Sequence, residues 1–225
     1  MRKEIGWMRF FRKDEESYLC EKCEKKLTKI TGKTCAICHR PLETVSSQYK
    51  KEDLCLDCYR WEQDEKWRSV LKKNLSLYVY NAFLAEIIAR FKYRGDYVLA
   101  KIFAADVLGA LQNMKYDFVT PIPLSNERLF ERGFNQAEAI VREAGIRPVH
   151  VLSRIHSEKQ AKKTREERMH LPDIFSVTDV TQVQGKTVLL IDDIYTTGST
   201  LRHAAYKLKK AGAKTVRSFT IARGG

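Results

Sequence analysis

Residues 188–200 read VLLIDDIYTTGST, and this stretch limits the fold more tightly than any other. Val188, Leu189, Leu190 and Ile191 run without polar alternation, as in a parallel strand covered on both faces, and they lead directly into Asp192 and Asp193. From Leu201 onward, apolar residues recur at helical spacing (Leu201, Ala204, Ala205, Leu208). Thr196, Thr197, Gly198, Ser199 and Thr200 therefore form a loop between a strand end and a helix start. A helix N-terminus offers unpaired N–H groups and the positive end of its dipole, so such a loop suits a phosphate. Gly198 lets the main chain come close, and the hydroxyls add donors without charge. Two carboxylates just upstream would repel a bare phosphate and are better suited to accepting hydrogen bonds from sugar hydroxyls. A ribose 5-phosphate satisfies both parts.

With four hydrophobic residues, two acids and a Thr/Gly/Ser loop, the stretch resembles the phosphoribosyl pyrophosphate (PRPP) signature of type I phosphoribosyltransferases. The resemblance implies that Asp192 and Asp193 hold the ribose hydroxyls, that Thr196, Thr197, Gly198, Ser199 and Thr200 wrap the 5-phosphate, and that Mg²⁺ accompanies PRPP. The plainer alternative is an acidic pair at a strand end in another doubly wound fold, where a glycine-hydroxyl loop at this offset is not expected.

Six cysteines fall within the first 58 residues as three CxxC pairs: Cys20 and Cys23, Cys35 and Cys38, Cys55 and Cys58. Neither an 18-residue apolar run nor a signal-peptide pattern is present, so the expectation is a cytoplasmic chain without membrane insertion. In a reducing compartment clustered cysteines indicate metal rather than disulfides. The spacing of Cys35, Cys38, Cys55 and Cys58 predicts a four-thiolate structural Zn²⁺ site. Cys20 and Cys23 are left over; they either replace one of those pairs or remain metal-free. His39 is expected on the surface of the knuckle rather than among the ligands.

Further along, residues 76–80 alternate as a strand, residues 83–91 have helical spacing, and a second helix is expected over about 97–112. The stretch DFVTPIP at 117–123 reads as a short strand leading into Leu124 and Ser125, then Arg128, Arg132, Gly133 and Asn135. This resembles the pyrophosphate loop of the type I enzymes, and Arg forks match phosphoryl oxygens bidentately, so Arg128 and Arg132 are predicted to act in catalysis beside Asp192 and Asp193. The alternative is a set of i, i+4 surface pairs. FKYRGD at 91–96, PIPLSNERLFERGFNQ at 121–136, Gln160 with Arg168, and the cysteine pairs together resemble the ComF family, in its ComFC-like branch. Relatives often carry one more CxxC upstream, which this chain lacks.

A strand is expected over 149–152, and the polar, basic stretch 153–174 is read as a lid or as a solvated loop. After the final strand, at 215–222, nothing remains to form a hood over a base, so an acceptor would have to be recognised by the lid, by Tyr195 or by the cysteine module. The net charge is +13, and residues 67–225 hold 26 basic against 15 acidic residues. That excess makes single-stranded DNA a candidate partner, with Trp61, Trp67 and Tyr93 as candidate stacking residues.

The fold class expected is α/β: a type I phosphoribosyltransferase-like parallel sheet flanked by helices (67–225) behind a small amino-terminal zinc-binding module (1–66). The function expected is that of a PRPP-binding ComF-family protein of natural competence. The resemblance further implies single-stranded DNA and the competence DNA-translocation ATPase as partners. The alternative is an active phosphoribosyltransferase of nucleotide salvage, or one with another acceptor.

Overall fold

The structure is a computed structural model that describes residues 18–155 and 174–224. Most of the segment expected to form a lid lies at 156–173, outside the described residues. The amino-terminal part comprises a short helix α1 (Glu21–Glu24), a hairpin of β1 (Lys50–Lys51) and β2 (Leu54–Cys55), and helix α2 (Leu56–Gln63). Next come β3 (Asn74–Val79), α3 (Ala82–Tyr93), a 3-10 segment (Tyr97–Phe103), α4 (Ala104–Gln112), β4 (Phe118–Pro121), α5 (Asn126–Arg132) and α6 (Gln136–Glu143). The chain ends with a hairpin of β5 (Leu152–Arg154) and β6 (Phe175–Val177), a short helix α7 (Val180–Val183), β7 (Thr187–Tyr195), α8 (Ser199–Lys210) and β8 (Thr215–Arg223).

The central sheet has the order β3-β8-β7-β4 and is parallel throughout. Both faces are covered, as the unbroken apolar run of β7 requires. Leu189 and Ile191 pack with Leu84, Ile88 and Phe91 of α3 and with Ile140 of α6. Val188 and Leu190 point the other way, into a cluster with Leu201 and Leu208 of α8. Asn81 caps α3, its side chain accepting from the Leu84 N–H at 2.9 Å.

That second cluster also contains all four cysteines of the predicted quartet and Trp61, so the cysteine module and one face of the sheet share a core. Backbone hydrogen bonds fasten the module along β3: Ile30 donates to Leu77 at 2.9 Å, Val79 to Thr28 at 2.9 Å and Asn74 to Ile37 at 2.6 Å. His39 is partly buried at this seam rather than on the knuckle surface, with Nδ1 3.0 Å from the Ser76 carbonyl oxygen.

Two local expectations shift. The helix expected from residue 97 opens as 3-10 structure, which brings Ala100 and Phe103, three residues apart, onto the core. The strand expected over 149–152 is divided between two partners: Val149 N–H donates to Val119 beside the central sheet at 2.8 Å, whereas Val151 accepts from Thr178 at 3.0 Å and Leu152 opens the β5–β6 hairpin.

Candidate phosphoribosyl site

β7 ends where its two carboxylates reach the rim of the sheet. Asp192 is partly exposed and Asp193 is buried, and each is oriented by the next backbone N–H: Asp192 Oδ1 accepts from Asp193 at 2.9 Å and Asp193 Oδ1 from Ile194 at 2.9 Å. Loss of hydration, then the neighbouring Asp193 charge, pushes the Asp192 carboxyl up to about 8. Asp193 forms an ion pair with Lys92, in the last turn of α3. Lys92 reaches Asp193 across about 100 residues, and its place in FKYRGD is the sequence signal for it, since nothing in local periodicity marks such a pairing.

The loop after β7 closes over Tyr195. Gly198, the residue before α8, has φ +79°, and a Cβ at that position would lie 2.1 Å from Tyr195 Oη. Both the left-handed backbone and the close approach demand glycine. Tyr195 is 1% exposed beneath the loop, so it cannot face an acceptor as the sequence had allowed. Thr196 is exposed and Thr197 partly so, and α8, twelve residues long, directs its N-terminus at this loop.

Across the rim, α5 carries Arg128, exposed, and Arg132, partly buried and donating to Gln136 Oε1 at 2.8 Å. Ser125 caps α5, and Asn135 caps α6 while donating to the Ile122 carbonyl at 2.9 Å, so the polar residues of this segment fix its backbone. Arg154, at the end of β5, joins them. Burial, then the neighbouring Arg128 charge, lowers its pKa, while Asp192 opposes the shift. The structure thus brings Arg128, Arg132, Arg154 and Asp192 into one electrostatic neighbourhood. The sequence had placed Arg154 only among the basic residues of the lid.

The quartet Cys35, Cys38, Cys55 and Cys58 is brought together as predicted, with sulfur atoms all within 4.8 Å of one another and side chains fully buried. Tetrahedral Zn–S bonds set sulfurs about 3.8 Å apart, and Cys38 and Cys55 lie at 3.6 Å. Hydrogen bonds among the thiols hold Cys35 down and Cys58 up in pKa, as expected where several sulfurs compete for few protons. Arg223 Nη2 lies 3.3 Å from Cys38 Sγ, a donor suited to the net negative charge of a four-thiolate site. Four soft ligands with no open position fit a structural Zn²⁺, which supplies cross-linking rather than chemistry. Cys20 and Cys23 lie outside this cluster, flanking or within α1, Cys20 being exposed.

Helix α2 links this cluster to the loop and to α8. Cys58 and Trp61 share the buried face of α2, and Trp61 Nε1 donates to the Thr197 carbonyl at 3.1 Å. Arg202 of α8, fully buried, pairs with Glu62 at 3.0 Å. Trp61 and Trp67 are 5% and 1% exposed, which removes both as stacking surfaces, whereas Tyr93 is 74% exposed.

A parallel sheet with an acid pair and a Thr/Gly/Ser loop at its rim is the arrangement of a phosphoribosyltransferase-like protein, and residues 130–225 match the phosphoribosyl transferase domain family. The chain is 38% identical to competence protein ComFC of Bacillus subtilis (strain 168), covering 98% of this chain and 90% of that one. It is 32% identical to competence protein ComFC of Streptococcus pneumoniae, covering 94% and 90%. The chain belongs to the ComFC family of competence proteins. Among solved structures, the allosteric regulatory enzyme of purine biosynthesis aligns over 54% of this chain and 25% of its own, at 22% identity and a TM-score of 0.37. No helix among the described residues is long and apolar enough to cross a membrane.

Proposed function

We propose that this chain binds Mg²⁺-PRPP at the rim of β7 and acts in competence, the cell's handling of incoming single-stranded DNA. The observation that carries the reading is the convergence at one end of the sheet of the acid pair and the Thr196–Thr200 loop after β7 with the segment that follows β4, which pairs with β7 up to Pro121 and Ile191 and leads into Arg128 and Arg132. The 5-phosphate lies on the Thr196–Thr200 loop, the ribose hydroxyls meet Asp192 and Asp193, and the pyrophosphate faces the guanidiniums of Arg128, Arg132 and Arg154. Mg²⁺ arrives with the pyrophosphate. In a transfer reaction the bond from C1′ to the pyrophosphate oxygen breaks, and the guanidiniums stabilise the charge gained by the leaving group. The acceptor would take over C1′. The basic excess of residues 67–225 supports single-stranded DNA as a partner, and the competence DNA-translocation ATPase is the second partner that the family resemblance implies.

Thermal unfolding with Mg²⁺-PRPP, ribose 5-phosphate and ATP in parallel tests the reading. A ligand at 100 times its Kd stabilises by about 2.7 kcal/mol, so PRPP should raise the midpoint well above the other two. Equal shifts would leave only a general phosphate site.

A further inference from the structure

Beside the Thr196–Thr200 loop, the cysteine module and Thr196 and Thr197 line an open cleft of about 840 Å³ whose walls do not include the acid pair. Arg40, Tyr49, Asp57 and Arg60 of the module line its opposite wall. In the pose proposed above, PRPP does not extend into it. Its pyrophosphate lies toward Arg128, Arg132 and Arg154, its diol at the acid pair and its 5-phosphate on the loop, where the molecule ends. A phosphodiester strand with one phosphate on the loop would carry its next nucleotide into this cleft, because Thr196 and Thr197 belong to both.

The lining has the chemistry for such a residue. Arg60 is exposed and makes no hydrogen bond or ion pair among the described residues. Arg40 is held only loosely by Asp57, at 3.7 Å, so two guanidiniums face one carboxylate. Tyr49 is 51% exposed, with its ring free to meet a base. Guanidiniums for phosphate and an aromatic face for a base, with the hydroxyls of Thr44 and Ser46 beside them, describe a single-strand binding surface. The volume accommodates more than one nucleotide-sized group.

We propose that this cleft is a nucleotide subsite for single-stranded nucleic acid, one phosphodiester of which occupies the Thr196–Thr200 loop in place of the PRPP 5-phosphate. The proposal rests on the assignment of that loop to a ribose phosphate. It turns a general basic charge into a defined register: one strand, one phosphate on the loop, one base on Tyr49, and mutual exclusion with PRPP.

The test uses the full chain and a 3′-labelled oligothymidylate of about 12 nucleotides, a length within the site sizes of single-strand binders. Anisotropy is measured for the unmodified protein, for Tyr49→Ala/Arg60→Ala, and for Lys115→Ala, which removes a charge from an exposed residue elsewhere. The cleft variant should weaken oligonucleotide binding by about tenfold, while Lys115→Ala changes it little and PRPP affinity of the cleft variant is kept. Saturating Mg²⁺-PRPP should displace the oligonucleotide from the unmodified protein. Equal effects of the cleft and Lys115 variants, or an oligonucleotide indifferent to PRPP, would overturn the proposal and place the strand elsewhere. Failure of the unmodified protein to bind PRPP at all would overturn the loop assignment itself.

Discussion

The Arg223 guanidinium reaches Cys38 Sγ at 3.3 Å with one nitrogen, while the other donates to the carbonyls of Tyr195 at 3.1 Å and Thr196 at 3.0 Å. A buried cation at the end of β8 thereby ties the cysteine cluster to the end of β7 and the start of the Thr196–Thr200 loop. Arg223→Gln should release metal faster to a chelator and weaken Mg²⁺-PRPP binding by about tenfold, since the Thr196 carbonyl and a thiolate lose this charged donor. Arg223→Lys keeps the charge but not the fork, so it should retain metal better than it retains PRPP affinity. Chelator kinetics and calorimetry on the same samples separate the two effects; equal, unchanged values for both variants would remove Arg223 from the coupling.

Metal content distinguishes the cysteines. Cys35→Ser removes one ligand from the buried quartet and should lose the metal, lowering the thermal midpoint by on the order of 10 °C because metal binding and folding are linked. Cys20→Ser, at an exposed position outside the cluster, should keep full metal content. A stable, metal-replete Cys35→Ser protein would contradict the ligand assignment.

The loop itself is tested at Gly198. An added methyl meets Tyr195 Oη at 2.1 Å and ring carbons at 2.4 and 2.9 Å, and the backbone there is left-handed. Gly198→Ala should cost about 1–2 kcal/mol from the backbone alone and shift the loop away from α8. Loss of PRPP binding with a modest fall in unfolding midpoint is the expected pair of results. Full PRPP affinity would show that the loop tolerates a different backbone.

A pH series on Asp192 carries a definite sign. Its pKa in the folded protein, about 8, lies above the ordinary carboxylate value, so the folded state holds the proton more tightly. The favourable contribution is present at acidic pH and is lost as pH rises through the folded pKa. Asp192→Asn should therefore stabilise the protein most above about pH 8 and change it least near about pH 4. Urea midpoints at several pH values measure this; a stability difference independent of pH would remove the desolvation argument.

How far the sequence could be read depended on how local each signal was. The β7 strand, its acid pair and the loop are contiguous, so burial pattern, carboxylates and glycine appear together in thirteen residues. The quartet was legible because CxxC spacing is itself the geometry of paired thiolates. Lys92, Arg154 and Arg223 were not legible as site residues. Lys92 meets Asp193 through a helix, Arg154 meets Arg128 and Asp192 through a hairpin, and Arg223 meets Cys38 across 185 positions. Such pairings are set by sheet order, which residue spacing does not encode. Trp61 and Trp67 were misread as surface aromatics because they stand in a charged stretch, yet they form the packing between the cysteine module and α8.

The central claim is that the rim of β7 is a PRPP site built on two carboxylates. Calorimetric titration of Mg²⁺-PRPP into the unmodified protein and into Asp192→Asn/Asp193→Asn tests it directly. The account predicts saturable binding near one ligand per chain that the double variant loses while remaining folded. Absence of binding to the unmodified protein, or equal affinity in the double variant, would contradict it.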